Sequence, residues 1–166
     1  RDVLRAMMTM MALISSATLT ACDSSGIAGP GDVRQLAEAK LLWQSRSFTD
    51  YTYEIRTSCF CPPELNQWTR VEVRNGAVVD VDAVDPDPTF PITTISWWQP
   101  IDTLFADIER AMSGSGFSSA YARVDVTYDP RYGFPTSIEY VSKPTVADAG
   151  ASISVRNVVP LNGILY

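Results

Sequence analysis

The sequence contains no histidine. That removes the side chain that titrates near neutral pH, the Ser-His and Cys-His nucleophile pairs, and the commonest zinc ligand. Hydrolysis by carboxylates alone stays chemically open, but the chain reads as a non-enzyme and requires no cofactor and no metal. Basic residues are scarce as well: 13 Lys and Arg face 19 Asp and Glu, for a net charge of −6. Arg1, Arg5 and Asp2 contribute +1 of this, so the part after residue 21 carries −7. Such a surface has little with which to neutralise phosphates, which argues against nucleic acid and against holding anionic lipid by charge. What is present is a folding composition, 46% hydrophobic and 19% charged over 166 residues, enough for one domain with a modest core.

The N-terminus carries an export pattern. Arg1 and Arg5 form a short positive region, and Ala6 to Leu19 is almost uncharged and rich in Met, Leu and Ala. That run has the length of a signal core and is too short for a bilayer span. Leu19-Thr20-Ala21-Cys22 follows and resembles the lipobox of bacterial lipoprotein precursors. The resemblance implies cleavage after residue 21 and a lipid on Cys22, with small residues fitting the peptidase and the thiol taking diacylglycerol. Each buried CH₂ then contributes about 0.8 kcal/mol, so two or three acyl chains anchor firmly. Residues 22–31 are small and polar and read as a flexible tether, leaving 32–166 as the folded domain. The implied place is extracytoplasmic, at the inner or the outer membrane. Asp23, next to the lipid site, goes with inner-membrane retention in enteric bacteria, a rule other phyla do not keep.

In the remaining chain, Asp32 stands where it caps a helix, with Gln35 completing a capping box and Val33, Leu36, Ala37, Leu41 and Trp43 as the apolar stripe. Tyr51 to Thr57 alternates as a strand, which Cys59-Phe60-Cys61-Pro62-Pro63 ends. Thr69 to Arg74 and Ala77 to Val84 form a hairpin about Asn75-Gly76, with Val79, Val81 and Ala83 on one face. Residues 85–100 hold four prolines and read as a long loop. Ile101, Leu104, Phe105, Ile108, Ala111 and Met112 make the best amphipathic helix, stopped by Ser113-Gly114. Strands follow at about 122–128, 136–141 and 152–158, the first two joined by the Asp129-Pro130-Arg131-Tyr132-Gly133 turn. The order is α-β-β-β-α-β-β-β, which hints at a structural duplication. Helices and strands do not alternate singly, so the expected fold is α+β: two layers, a mainly antiparallel sheet of about six strands, and two helices on one face. Arg70, Glu72, Arg74, Asp80, Asp82, Arg123, Asp125 and Arg156 share the side opposite the apolar residues, so one sheet face is expected to be charged, either merely solvated or used to bind a partner.

Three groupings bear on chemistry. With Cys22 given to lipid, Cys59 and Cys61 remain, an even number in an oxidising setting. A bridge across one residue gains only about 1.6 kcal/mol from chain entropy. It also needs a bend, because i and i+2 in a regular strand lie at the edge of reach. A structural disulfide, a redox or metal thiol pair, and free thiols all stay open. Asp80, Asp82, Asp85 and Asp87 form an acidic run, but it lacks the glycine and distal glutamate of a calcium loop. Trp97 and Trp98, with Phe90 near, either line a ligand groove or cover the edge of the core.

Assembled, these residues resemble a family of small, uncharacterised bacterial lipoproteins with a domain of unknown function. The pattern runs from a helix ending in Trp43 through Tyr51-Thr52-Tyr53, Cys59-Phe60-Cys61-Pro62, Val71-Glu72-Val73-Arg74-Asn75-Gly76 and Ile101-Asp102-Thr103-Leu104-Phe105. It ends with Tyr128-Asp129-Pro130-Arg131-Tyr132-Gly133-Phe134-Pro135-Thr136-Ser137-Ile138. It covers about residues 35–158, and the insert at 85–100 departs from it. The resemblance transfers no catalytic residue. The element order also has a looser likeness to small periplasmic inhibitor or chaperone-like lipoprotein domains, at the level of fold alone. The expectation is a monomeric, membrane-anchored, non-enzymatic domain that binds an envelope protein or a ligand. Two alternatives stand beside it: a thiol-disulfide redox protein using Cys59 and Cys61, and an inhibitor of an extracytoplasmic enzyme presenting the 85–100 loop or the Tyr132–Phe134 turn.

Overall fold

We describe residues 27–114, 120–147 and 149–161 of a computed structural model of the chain. Cys22, the export segment and most of the tether lie outside them. Two helices, α1 (Pro30–Ser45) and α2 (Ile101–Met112), accompany six strands. These are β1 (Tyr51–Cys59), β2 (Thr69–Arg74), β3 (Ala77–Ala83), β4 (Tyr121–Tyr128), β5 (Pro135–Ser142) and β6 (Ala151–Pro160). The strands form one antiparallel sheet in the order β3-β2-β1-β6-β5-β4. The fold is therefore α+β with the element order read from the sequence.

Read from the β4 edge, the sheet is two three-stranded meanders, 4-5-6 and 1-2-3, joined where β6 pairs with β1. A duplicated helix-plus-three-strands unit related by a two-fold would give β1 and β4 equivalent places. Here β1 is central and β4 is an edge, so the hinted duplication is not what organises the fold. The chain must instead travel from one edge of the sheet to the other between β3 and β4. Five strand spacings come to about 24 Å. The twelve residues of α2 span about 18 Å of helix. The long connection over 84–100, broken only by a 3-10 turn at Ile95–Trp97, is thus part of a crossing that the topology demands.

Both helices pack on the same face of the sheet. Trp43 of α1 meets Tyr51 edge-on at 5.3 Å between ring centroids, and Phe105 of α2 stacks on Tyr128 at 6.3 Å. Leu36, Ala39 and Trp43 join Ile101, Leu104, Phe105 and Ile108 over Tyr51, Tyr53, Val71, Val73, Val124, Ile138 and Val155 in one core. The helices also meet each other through Lys40 and Glu109, paired at 2.6 Å. Tyr51 and Tyr53 fasten the end of the crossing loop: the Tyr53 hydroxyl donates to the Gln99 carbonyl, and the Ile101 N–H donates to the Tyr51 hydroxyl at 2.9 Å. The second bond satisfies one of the orphan donors at the start of α2.

Three local expectations are corrected. Helix α1 begins before Asp32: Gly29 is its cap, Pro30 occupies the first turn, and the Asp32 carboxylate accepts the Gly29 N–H at 2.8 Å. Proline fits that first turn because its missing N–H would have had no partner there. The inward stripe of α1 is Leu36, Ala39 and Trp43, while Val33, Ala37 and Leu41 face away, Leu41 being 66% exposed. In β3 a bulge opposite Glu72 and Val73 shifts the alternation. Val78 and Val81 then turn inward and Val79 turns out, because the extra residue re-phases the side chains. The Asn75-Gly76 turn forms as expected, with φ values of 50° and 73°.

Candidate functional site

The face of the sheet without helices carries the polar partners of each strand. Across its middle, register aligns Asp82 on β3, Arg70 on β2, Glu54 on β1 and Arg156 on β6. Glu54 is only 7% exposed although it lies on the open face. Its carboxylate accepts from Arg156 Nε at 2.8 Å and Asn157 Nδ2 at 3.0 Å, and Arg70 lies 3.7 Å away. A buried carboxylate needs such partners, because without them desolvation would cost several kcal/mol.

One irregularity makes this possible. Successive residues of a strand point to opposite faces, so Arg156 and Asn157 would not ordinarily reach the same carboxylate. The β1–β6 register slips between Thr52 and Glu54, and Asn157 takes φ 53°. Asparagine tolerates this left-handed conformation better than most residues. The bulge therefore turns both side chains onto Glu54. Beside them lies an open depression of about 370 Å³, lined by Thr52, Tyr53, Glu54, Arg70, Asn157 and Val159.

Trp68, just ahead of β2, extends the network. The Arg156 guanidinium lies 3.8 Å from the centre of its ring and that of Arg56 lies 5.1 Å away. The Arg56 guanidinium makes no hydrogen bond or ion pair among the described residues. Farther along the face, a second open depression of about 340 Å³ runs past Ser58, Glu139, Ser152 and Gly150. Arg123 pairs with Asp125 at 2.6 Å near the β4 edge. The arrangement offers guanidinium donors and hydroxyls on an open surface. Among the described residues, no group of three or more metal-ligating side chains gathers.

The residues singled out from sequence fall in different places. Trp98 is 6% exposed and belongs to the core, whereas Trp97 points outward, as does Phe90. The two tryptophans therefore do not line one groove. Phe134 is a core residue, and Tyr132 is half-buried against Phe48 at 5.4 Å. Their turn packs on α1 through Gly133 and buries Phe134, while Arg131 beside them is exposed. The bond between Cys59 and Cys61 is present, with Cα atoms 5.2 Å apart, and Phe60 between them is 91% exposed. Asp80 and Asp82 project from β3 into solvent, and Asp85 and Asp87 follow in the loop. Sequence reading passed over Glu54, Asn157 and Trp68. Arg70 and Arg156 were on its charged face, but their meeting point was not.

The fold and this surface define a two-layer α+β domain with one uncovered, charged sheet face. The chain belongs to the Family of unknown function (DUF6174), whose model matches residues 35–160, from within α1 to the end of β6. No curated protein and no solved structure matches the chain.

Proposed function

We propose that the chain is a bacterial lipoprotein, exported by residues 1–21, anchored through a lipid on Cys22, and carrying an extracytoplasmic, non-enzymatic domain that binds an envelope protein through its open sheet face. The observation that carries the binding half is the ordered network on that face. A surface that is merely solvated needs no carboxylate drawn down to 7% exposure among arginines and a bulged asparagine. Support for the anchor is the order of charged start, apolar run and Leu19-Thr20-Ala21-Cys22. With the lipid holding the membrane, an acidic domain needs no basic or amphipathic surface for that purpose.

The test is affinity capture of the full chain from native membranes after mild crosslinking, together with mass spectrometry of its N-terminus. The expected results are an acylated Cys22 as first residue and one specific protein partner. An unmodified Cys22 with residues 1–21 retained would refute the anchor. No partner, alongside turnover on a panel of substrates, would refute the binding reading.

A further inference from the structure

The cluster around Trp68 has a chemistry of its own. Arg56 and Arg156 meet at the Trp68 ring, and Arg156 and Arg70 flank one carboxylate, Glu54, in a chain whose net charge is −6. Glu54 is already committed: it holds Arg156 through Nε and leaves that guanidinium's two terminal nitrogens for another acceptor. Asp82 stands opposite Arg70 in register but makes no ion pair with it. Stacking against an indole fixes the plane of a guanidinium, so its in-plane N–H groups are aimed before any ligand arrives. Two such groups, Arg56 and Arg156, share one ring. This is the geometry that suits a planar oxyanion taken by paired N–H donors.

Apolar groups lie toward both ends of β1 from the cluster. Phe60 follows the last residue of β1, four residues on from Arg56 and so within about 14 Å of it along the chain. It is held between two bonded cysteines and is almost wholly exposed. At the other end Val159 stands opposite Thr52, exposed beside the depression that borders Arg70. A fixed, solvated phenylalanine is an uncommon outlay of apolar surface, and aromatic side chains are the usual anchors of protein interfaces. Along the direction of β1 the order is thus Val159, the arginines, then Phe60: apolar, cationic, apolar.

We propose that Arg56, Arg70 and Arg156 form a carboxylate-recognition site, and that its occupant is an extended protein segment bearing Asp or Glu between apolar side chains. This deepens the reading of the sheet face as a binding surface and rests on it. An anionic lipid surface offers oxyanions too, but it would bring the remaining acidic face of the molecule against a surface of like charge. A single extended segment presents only a few carboxylates, and the site is open along the direction of β1.

The test uses the full lipidated chain in neutral detergent and a short labelled peptide alternating Leu and Glu. Its counterpart with Gln in place of Glu, inorganic phosphate, and vesicles of anionic lipid are measured beside it. The Glu peptide is expected to bind at least about tenfold more tightly than the Gln peptide, with a preference that shrinks as salt rises. Arg56→Glu is expected to abolish the preference, and Arg56→Gln to reduce it. Arg34→Glu, the same charge change on an exposed part of α1, is expected to leave it within about twofold. The Arg56 variants should fold, since that guanidinium has no hydrogen bond to lose, and melting checks this. Equal binding of both peptides, or equal damage from Arg34→Glu, overturns the proposal. So does occupation by phosphate or vesicles without the peptide. If Arg56→Glu still captures the same partner from membranes, the carboxylate site fails while the anchored binding domain stands.

Discussion

At the level of single residues, Glu54 organises the open face. Its two closest partners, Arg156 and Asn157, are adjacent in the chain and reach it only because Asn157 adopts φ 53°. Glu54→Ala is expected to lower stability by about 1–3 kcal/mol, read from urea unfolding. The figure lies below that of a fully buried pair, because the arginine side chains are about half exposed and can rehydrate. A loss under about 0.3 kcal/mol would mean the network has no structural weight. None of this could be read from the sequence. Glu54 sits in a regular alternation and looks like any outward residue of a strand. Its partner Arg156 is 102 positions away, and only the pairing of β1 with β6 brings them together.

At the scale of elements, periodic segments were legible and their phase was not always so. Helix α2 presents Ile101, Leu104, Phe105, Ile108 and Ala111 inward, as its spacing requires. In helix α1 leucine and valine occur on both sides, and only packing decides which side is covered. The bulge in β3 likewise leaves no mark in a run of Val and Asp. The turn at Gly133 shows what such packing demands. Its φ is 86°, and a Cβ there would lie 2.3 Å from the Ala39 carbonyl oxygen and 3.0 Å from the Trp43 nitrogen. Gly133→Ala is expected to cost more than about 2 kcal/mol, by strain and by lifting the turn from α1. A melting curve unchanged from wild type would refute that contact. The crossing loop depends in turn on β1. Tyr53→Phe removes the donor to Gln99 and is expected to speed proteolysis within residues 84–100, with most of the global stability kept. Cleavage rates equal to wild type would show that Trp98 and Ile101 suffice to hold the loop.

At the scale of the molecule, one side is built of helices and the other is left to solvent. Burial raises the tyrosine pKa values of Tyr51, Tyr53, Tyr128 and Tyr140, with desolvation as the largest cause in each. The Ile101 N–H opposes this at Tyr51. A raised folded value means that the neutral phenol is favoured in the native state. Stability is therefore whole below the ordinary tyrosine value of about 10 and falls as pH rises beyond it. Tyrosinate absorbance should appear together with loss of helical circular dichroism, and smooth titration in a folded protein would contradict the burial. The class of fold was legible because six short alternating segments and two amphipathic ones leave few antiparallel solutions. The strand order was not, because nothing local says that β6 returns to the middle of the sheet.

The central claim is that the anchored domain meets its partner with the sheet face. It is tested most directly by photo-crosslinking the full chain in native membranes, with the reactive group placed at Ser58 on the sheet or at Glu38 on α1, both exposed. One discrete protein adduct is expected from position 58 and none from position 38. Adducts from position 38 alone, or from neither position, would contradict it.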